Sequence, residues 1–219
     1  MTEPSGGSEN KHRRPVVVPA VALTAFTALG ITALLGGLGE APEAPDPLGP
    51  GAVLDQGRFD TKFVESRVRV EKAKSRWEDD KRFVELVFDV TNKGNETAMV
   101  GLPPARPDQA TLTSFAGSLV KITPAFPEDA GPFTYALSKG GETRQLHPGV
   151  TSQVIVRYKL KDNEQPPEKM TMDVAAFEFA STFNNVTPEW KMISKEAGDK
   201  VVPEIKARVT LPVKKGDAS

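Results

Sequence analysis

Between Phe83 and Val90 the side chains alternate: Val84, Leu86, Phe88 and Val90 fall on one side, Glu85 and Asp89 on the other. A period of two fits a β-strand with one face in a core and the other toward water, and it does not fit a helix. The run stops at Thr91-Asn92-Lys93-Gly94-Asn95, where Asn and Gly tolerate the backbone of a tight turn. The same period returns twice. Val154, Val156, Tyr158 and Leu160 alternate with Gln153, Arg157 and Lys159, after an entry through Leu146-His147-Pro148-Gly149. Ile205, Ala207, Val209, Leu211 and Val213 alternate with Lys206, Arg208 and Thr210, and Pro212 marks that strand as an edge or a strand end.

Two further segments change phase partway. Met170, Met172 and Val174 share a face before Phe177 and Phe179 take over, which one inserted residue near Ala175 would produce. Phe59 and Phe63 give way to Val64, Val68 and Val70 in the same manner. Shorter strands are expected at Leu119 to Thr123 and around Tyr135, with Lys139-Gly140-Gly141-Glu142 as a hairpin turn. Only Asn184 to Gly198 leaves room for a short helical turn. About seven strands without helical periodicity predict an all-β, immunoglobulin-like antiparallel β-sandwich over 53–213.

Ahead of this domain stands Val16 to Leu38, which carries no charged residue. As a helix it would reach roughly 34 Å, slightly more than the roughly 30 Å hydrocarbon core of a bilayer. The sequence therefore predicts a single transmembrane helix over 15–39 and a lipid bilayer as its partner. Lys11-His12-Arg13-Arg14 lies before the run, and Glu40, Glu43 and Asp46 lie after it. That asymmetry predicts a cytoplasmic tail over 1–14, too polar to pack, and an extracytoplasmic domain in the cell membrane. A cleaved signal peptide would have a shorter apolar region and a small-residue cleavage site, and Leu38-Gly39-Glu40-Ala41-Pro42 is a poor one. Ala20, Thr24, Ala28, Thr32 and Gly36 recur every fourth residue, a strip that would allow weak self-association of the span. The same residues are also ordinary in single spans. Glu40 to Ala52, with its repeated proline, reads as an extended spacer, and 214–219 as a disordered tail.

Composition narrows the chemistry. A net charge of −1, with both signs interspersed, gives no basic stripe for nucleic acid. With no cysteine, disulfides, thiol catalysis, thiolate-bound metal and a lipoprotein thioether are all excluded. His147 is the one histidine of the domain and precedes Pro148 in a turn, so neither a nucleophile–histidine pair nor a zinc site is expected. Glu78-Asp79-Asp80 and Glu128-Asp129, adjacent carboxylates in loops, are the remaining candidates for chemistry, without calcium-loop spacing. No phosphate-cradling glycine loop is present, and no cofactor is expected. Asn95-Glu96-Thr97 fits a glycosylation acceptor, meaningful only in a secretory eukaryotic setting.

The run Phe83 to Asn95, followed by Leu146-His147-Pro148-Gly149 and Val154-Ile155-Val156, resembles the telokin-like immunoglobulin-fold domains on the outer face of Gram-positive bacterial membranes. The resemblance covers about half of the exported chain and implies fold and location, with no catalytic set to transfer. Unlike lipid-anchored members, this chain lacks the cysteine.

The expected function is thus a non-catalytic, membrane-anchored envelope protein whose sandwich binds a membrane protein or a cell-wall polymer. The alternatives are an accessory or weak hydrolase using loop carboxylates, and a secreted domain released by signal cleavage. Met99 to Ala116, too proline-rich for a central strand, is the candidate docking segment. Leu102, Arg106 and Phe115 would form its apolar patch with one cation, unless Leu102 and Phe115 instead cap the core. If neither holds, Phe126, Phe133 and Tyr135 are the next candidates.

Overall fold

Alternating segments become strands only where the apolar face meets another layer, and in the computed structural model two layers meet over a core of phenylalanine, leucine and methionine. The structure describes residues 44–107, 110, 113–138, 140–182 and 185–215. The chain divides into two units, Met1–Ala44 and Pro45–Ser219, and the second is the β domain. Its strands are β1 (Asp46–Leu48), β2 (Val53–Asp55), β3 (Phe59–Glu71), β4 (Lys81–Asn92), β5 (Ala98–Met99), β6 (Leu119–Thr123), β7 (Phe133–Ser138) and β8 (Gly141–Thr143). They continue as β9 (Gln145–Leu146), β10 (Thr151–Leu160), β11 (Lys169–Ala175), β12 (Phe177–Thr182), β13 (Asn185–Met192), β14 (Ser194–Ala197), β15 (Lys200–Pro203) and β16 (Ile205–Lys214).

One layer runs in the order β3-β4-β10-β7-β8, with β2 on the outer side of β3; the other runs β6-β11-β16, with β1 along β16. The arrangement is all-β and sandwich-like. Val213 and Lys214 at the end of β16 run parallel to Ser66 and Arg67 of β3, so one strand belongs to both layers. Pro212 sits just before that crossing and faces Lys169 of β11. β16 is therefore flanked on both sides, and the proline marks a strand end and not an edge. Lys214 also bonds Glu65 at 2.8 Å, so the chain at 214 belongs to the domain, where a disordered tail was expected.

The residues expected on the core face share it: Phe88 is opposite Val154 and Leu86 opposite Val156, while β3 shifts register between Phe63 and Glu65, bulging at Val64. An edge-to-face series of rings crosses the interior, from Phe63 to Phe88 at 5.9 Å, Phe88 to Phe115 at 5.5 Å, Phe115 to Phe59 at 5.8 Å and Phe59 to Phe177 at 5.5 Å. The turn segments 91–95 and 146–149 are held together by Asn92. Its side-chain amide donates to the carbonyls of Glu96 (2.7 Å) and Leu146 (2.9 Å), and its Oδ1 accepts from the amide of Gly94 (2.9 Å). Gly149 closes the link by donating to the Asn92 carbonyl at 2.8 Å.

Several expectations are corrected. Asn185–Met192 and Ser194–Ala197 are strands, where a helical turn was expected; β13 pairs with β12 and β14 with β15. The expected irregularity near Ala175 is present as a register shift between Val174 and Ala175, but Phe177 and Phe179 do not continue that strand: after Ala176 the chain builds the β12–β13 hairpin. The domain begins near Pro45, not at Val53, because Asp46–Leu48 inside the presumed spacer pairs with Ala207–Val209. An added strand on one exposed side tolerates Pro47, and Leu48 packs on the core. The pairings of β1 with β16 and of β16 with β3 are parallel, so the sandwich is not purely antiparallel. Glu85, expected to face water, is 2% exposed. Among the described residues no helix is long and apolar enough to cross a membrane. The expected span Val16 to Leu38 and the tail before it lie outside the described residues.

Candidate functional site

β7 pairs with β10 from Phe133 to Leu137, but its other side pairs with β8 only from Ala136 to Ser138. β8 begins at Gly141, directly after Gly140 at φ +82°, and runs for three residues only. It then ends at Thr143, where Arg144 leads the chain into β9 to pair with β5. The Phe133–Tyr135 half of β7 is thus left without a neighbour strand among the described residues. The gap is a cleft of about 640 Å³ lined by Met99, Leu102, Phe133, Tyr135, Arg144 and Arg157, among others.

The chemistry of its wall follows from which way each strand residue points. Thr134 faces the interior side and donates its hydroxyl to the carbonyl of Gly101, tying the 99–102 segment to β7. Phe133 and Tyr135 face the other side, opposite Arg157 and Ile155. There the Arg157 guanidinium lies 4.4 Å from the Phe83 ring and 5.4 Å from the Tyr135 ring, and it ion-pairs with Glu71. Its Nε is enclosed without a hydrogen-bond partner. Burial, and next the Glu85 carboxylate, push the Tyr135 hydroxyl above its ordinary pKa, so it is a neutral hydrogen-bonding group at physiological pH. Arg144 is exposed and has no carboxylate partner among the described residues.

Of the expected docking residues, the structure keeps one in this cleft. Leu102 is 50% exposed and lines it. Phe115 is 0% exposed, in edge-to-face contact with Phe59 and Phe88, so it caps the core and cannot be part of a surface patch. Arg106 is exposed and engaged in an interaction of its own, but does not line the cleft. Phe133, at 48% exposed, joins Leu102, while Phe126 is stacked on Tyr158 at 4.3 Å elsewhere. Met99, at 51% exposed, completes the apolar wall. Arg144 and Arg157 were not singled out from the sequence. The available signal was Arg157 on the outward face of β10, opposite Glu85 on the same face of β4.

The two expected acidic clusters do not meet, although Glu78 and Asp79 share their cavity with Glu71 and Glu142. Glu78 and Asp79 line a second cavity of about 640 Å³ at the β3–β4 turn, which also reaches Glu142 and Arg157. Asp129 lines a third, of about 210 Å³, beside Leu160–Asp162. Asp80 is held by Lys72 at 2.8 Å and by the Ala73 amide at 3.0 Å, which lowers its pKa. His147 shares a 3.1 Å hydrogen bond with the Thr97 hydroxyl. Among the described residues no group of three or more His, Cys, Asp or Glu could hold a metal ion.

No protein-family model matches the chain, and no curated protein matches its sequence. Among solved structures, an uncharacterized beta-sandwich protein from Clostridium difficile 630 is similar to it at 10% identity and a TM-score of 0.36, over 70% of this chain and 97% of that one. A likeness of that degree carries nothing about family or activity.

Proposed function

We propose that the protein is a non-catalytic binding module of the cell envelope, held by Val16 to Leu38 as a single span and displaying an immunoglobulin-like sandwich outside the membrane. The observation that carries the reading is the gathering of Met99, Leu102 and Phe133, three of the exposed large apolar side chains, in one open cleft beside Arg144. Exposed apolar side chains concentrated at one place, with an arginine and a tyrosine at the rim, are the residue mix of interfaces. The separation of Glu78 and Asp79 from Asp129 into different cavities favours binding over a paired-carboxylate hydrolase. Two features support the telokin-like, extracytoplasmic assignment: the Asn92 link between the two turn segments, and the basic flank before an uncharged run.

The test is crosslinking in native membranes. Leu102→Ser is expected to leave the melting temperature unchanged and abolish partner crosslinks, whereas Phe115→Ser is expected to lower the melting temperature. Undiminished crosslinks in Leu102→Ser would remove the cleft from consideration. A reporter fused after Ser219 should be active only outside the cytoplasm; activity inside would reverse the topology.

A further inference from the structure

We infer that the cleft takes an extended peptide segment, which adds as a strand to the open half of β7 and presents a carboxylate to Arg144. The inference rests on the cleft being the binding site and goes on to name the chemistry of its occupant. It starts from the hairpin. Across a two-residue turn the flanking residues, Ser138 and Gly141, form a hydrogen-bonded pair, and pair types then alternate along the ladder. Leu137–Glu142 is therefore the non-bonded type and Ala136–Thr143 the bonded type. Continuing the alternation, the N–H and C=O of Thr134 point to the side that β8 has vacated. They are a donor and an acceptor with no strand opposite them among the described residues, and they open on the cleft that Thr134 itself lines.

A strand edge of this kind is completed by a peptide in β-conformation, with main-chain bonds giving affinity and pockets for alternate side chains giving selectivity. The side walls match that occupant. Met99 and Leu102 stand on one side of the β7 edge, and Phe133 and Tyr135 on the other face. Apolar side chains of an added strand would rest against one wall or the other according to their parity. Arg144, where β8 ends, is a cation without a carboxylate partner among the described residues, and it sits in line with the missing strand. An added strand running parallel to β7 would end where β8 ends and bring its C-terminal carboxylate beside Arg144, a charge-assisted contact. The open groups of Thr134 are those of a strand edge, whose donor and acceptor match the main chain of an extended peptide; this observation favours the peptide over a glycan.

The probe is a panel of hexapeptides alternating Val, Leu or Phe with Thr and ending in a free carboxylate, added to the full-length chain labelled with nitrogen-15. Saturable shifts centred on Thr134 and slowed exchange of its amide hydrogen are expected. Side-chain parity fixes which peptide amides face the protein. N-methylation of alternate amides should therefore weaken binding at least about tenfold in one series and leave it unchanged in the complementary series. Arg144→Gln should weaken the carboxylate peptides by about tenfold and leave their C-terminal amides unaffected. Equal tolerance of both N-methyl series, no change at the Thr134 amide, or no saturable binding at millimolar peptide would each overturn strand addition. Crosslinks in native membranes that run from the cleft to a glycan would overturn the peptide and keep the binding reading. Absence of any crosslink from the cleft would remove both.

Discussion

Phe88 and Glu85 lie on opposite faces of β4, yet both are buried, and the reasons differ. Phe88 is enclosed by Phe63 and Phe115 between the layers, so Phe88→Ala should cost about 3 to 5 kcal/mol in thermal or denaturant unfolding. Glu85 is covered on the outer face by long neighbours and accepts a 3.0 Å bond from Arg67 Nε, which in turn bonds Glu65. Removing its carboxylate leaves the Nε of a partly buried guanidinium without its partner, with Glu65 still on the other side. Glu85→Ala should therefore cost about 1 to 3 kcal/mol, not the near-zero value of a solvent-facing glutamate. Alternation reveals which residues share a face but not what covers the second face, because stems of Arg67 and Arg157 bury surface while remaining polar in sequence. Gly57 is equally illegible from the chain alone. It holds φ +79°, and a Cβ there would lie 2.1 Å from the Phe177 carbonyl oxygen, a contact that only the path of β12 creates. Gly57→Ala should destabilise by at least about 2 kcal/mol in the same unfolding assay. Acid should weaken the fold through its depressed carboxylates, Asp55 and Glu65 together with Asp80. Asp55 is held below its ordinary pKa by a bond from the Lys93 ammonium and then by the Gly57 amide, and Glu65 by Lys214 and then Arg67. A depressed folded-state pKa stabilises fully above the unfolded value and is lost as pH falls through the folded one. The decline should therefore set in below about pH 4 to 5 and be small, since both partners are partly solvated. A melting temperature that rises on acidification through that window would contradict it.

At the scale of elements, the well-read strands are those whose alternation is long enough to fix a register. β3, β4, β10 and β16 form over the expected segments, and the phase change at Val64 becomes the bulge that lets Ser66 and Val68 regain the core. What escaped the sequence were strands of two to four residues, for which period two and chance cannot be distinguished, and strands such as β13 that pair only with their neighbour outside the layers. The cleft belongs to this class. It exists because β8 stops after three residues, and no property of Phe133 or Tyr135 by itself announces a missing neighbour. The same scale carries a prediction about boundaries. A domain cut as 51–211 loses β1 from β16 and the Val213–Lys214 link to β3. It should melt below a domain cut as 45–215, by roughly 2 to 4 °C for each kcal/mol lost. Equal melting temperatures would mean that β1 and the end of β16 contribute nothing.

For the whole molecule, a proposed anchor is joined to a sandwich that gathers three of its exposed apolar residues, Met99, Leu102 and Phe133, at one edge. The uncharged run and its basic flank speak for the first part, and the position of Leu102 beside Met99 and Phe133 for the second. Sequence reasoning reached Leu102 because the proline-rich segment could not be a central strand. It joined Leu102 to Phe115 only because sequence proximity stood in for spatial proximity: Phe115 turns inward one side chain after Ser114 and completes the ring series of the core. The central claim, that the cleft is where a partner docks, is tested most directly by placing a photo-reactive phenylalanine at position 133 or at position 201 of the full chain and irradiating native membranes. Val201 is an exposed residue of β15 outside the cleft, so it reports collisions of the bare surface. The account predicts one discrete crosslinked species from position 133, lost on Leu102→Ser, and none from position 201; a species that forms from 201 and not from 133 would contradict it.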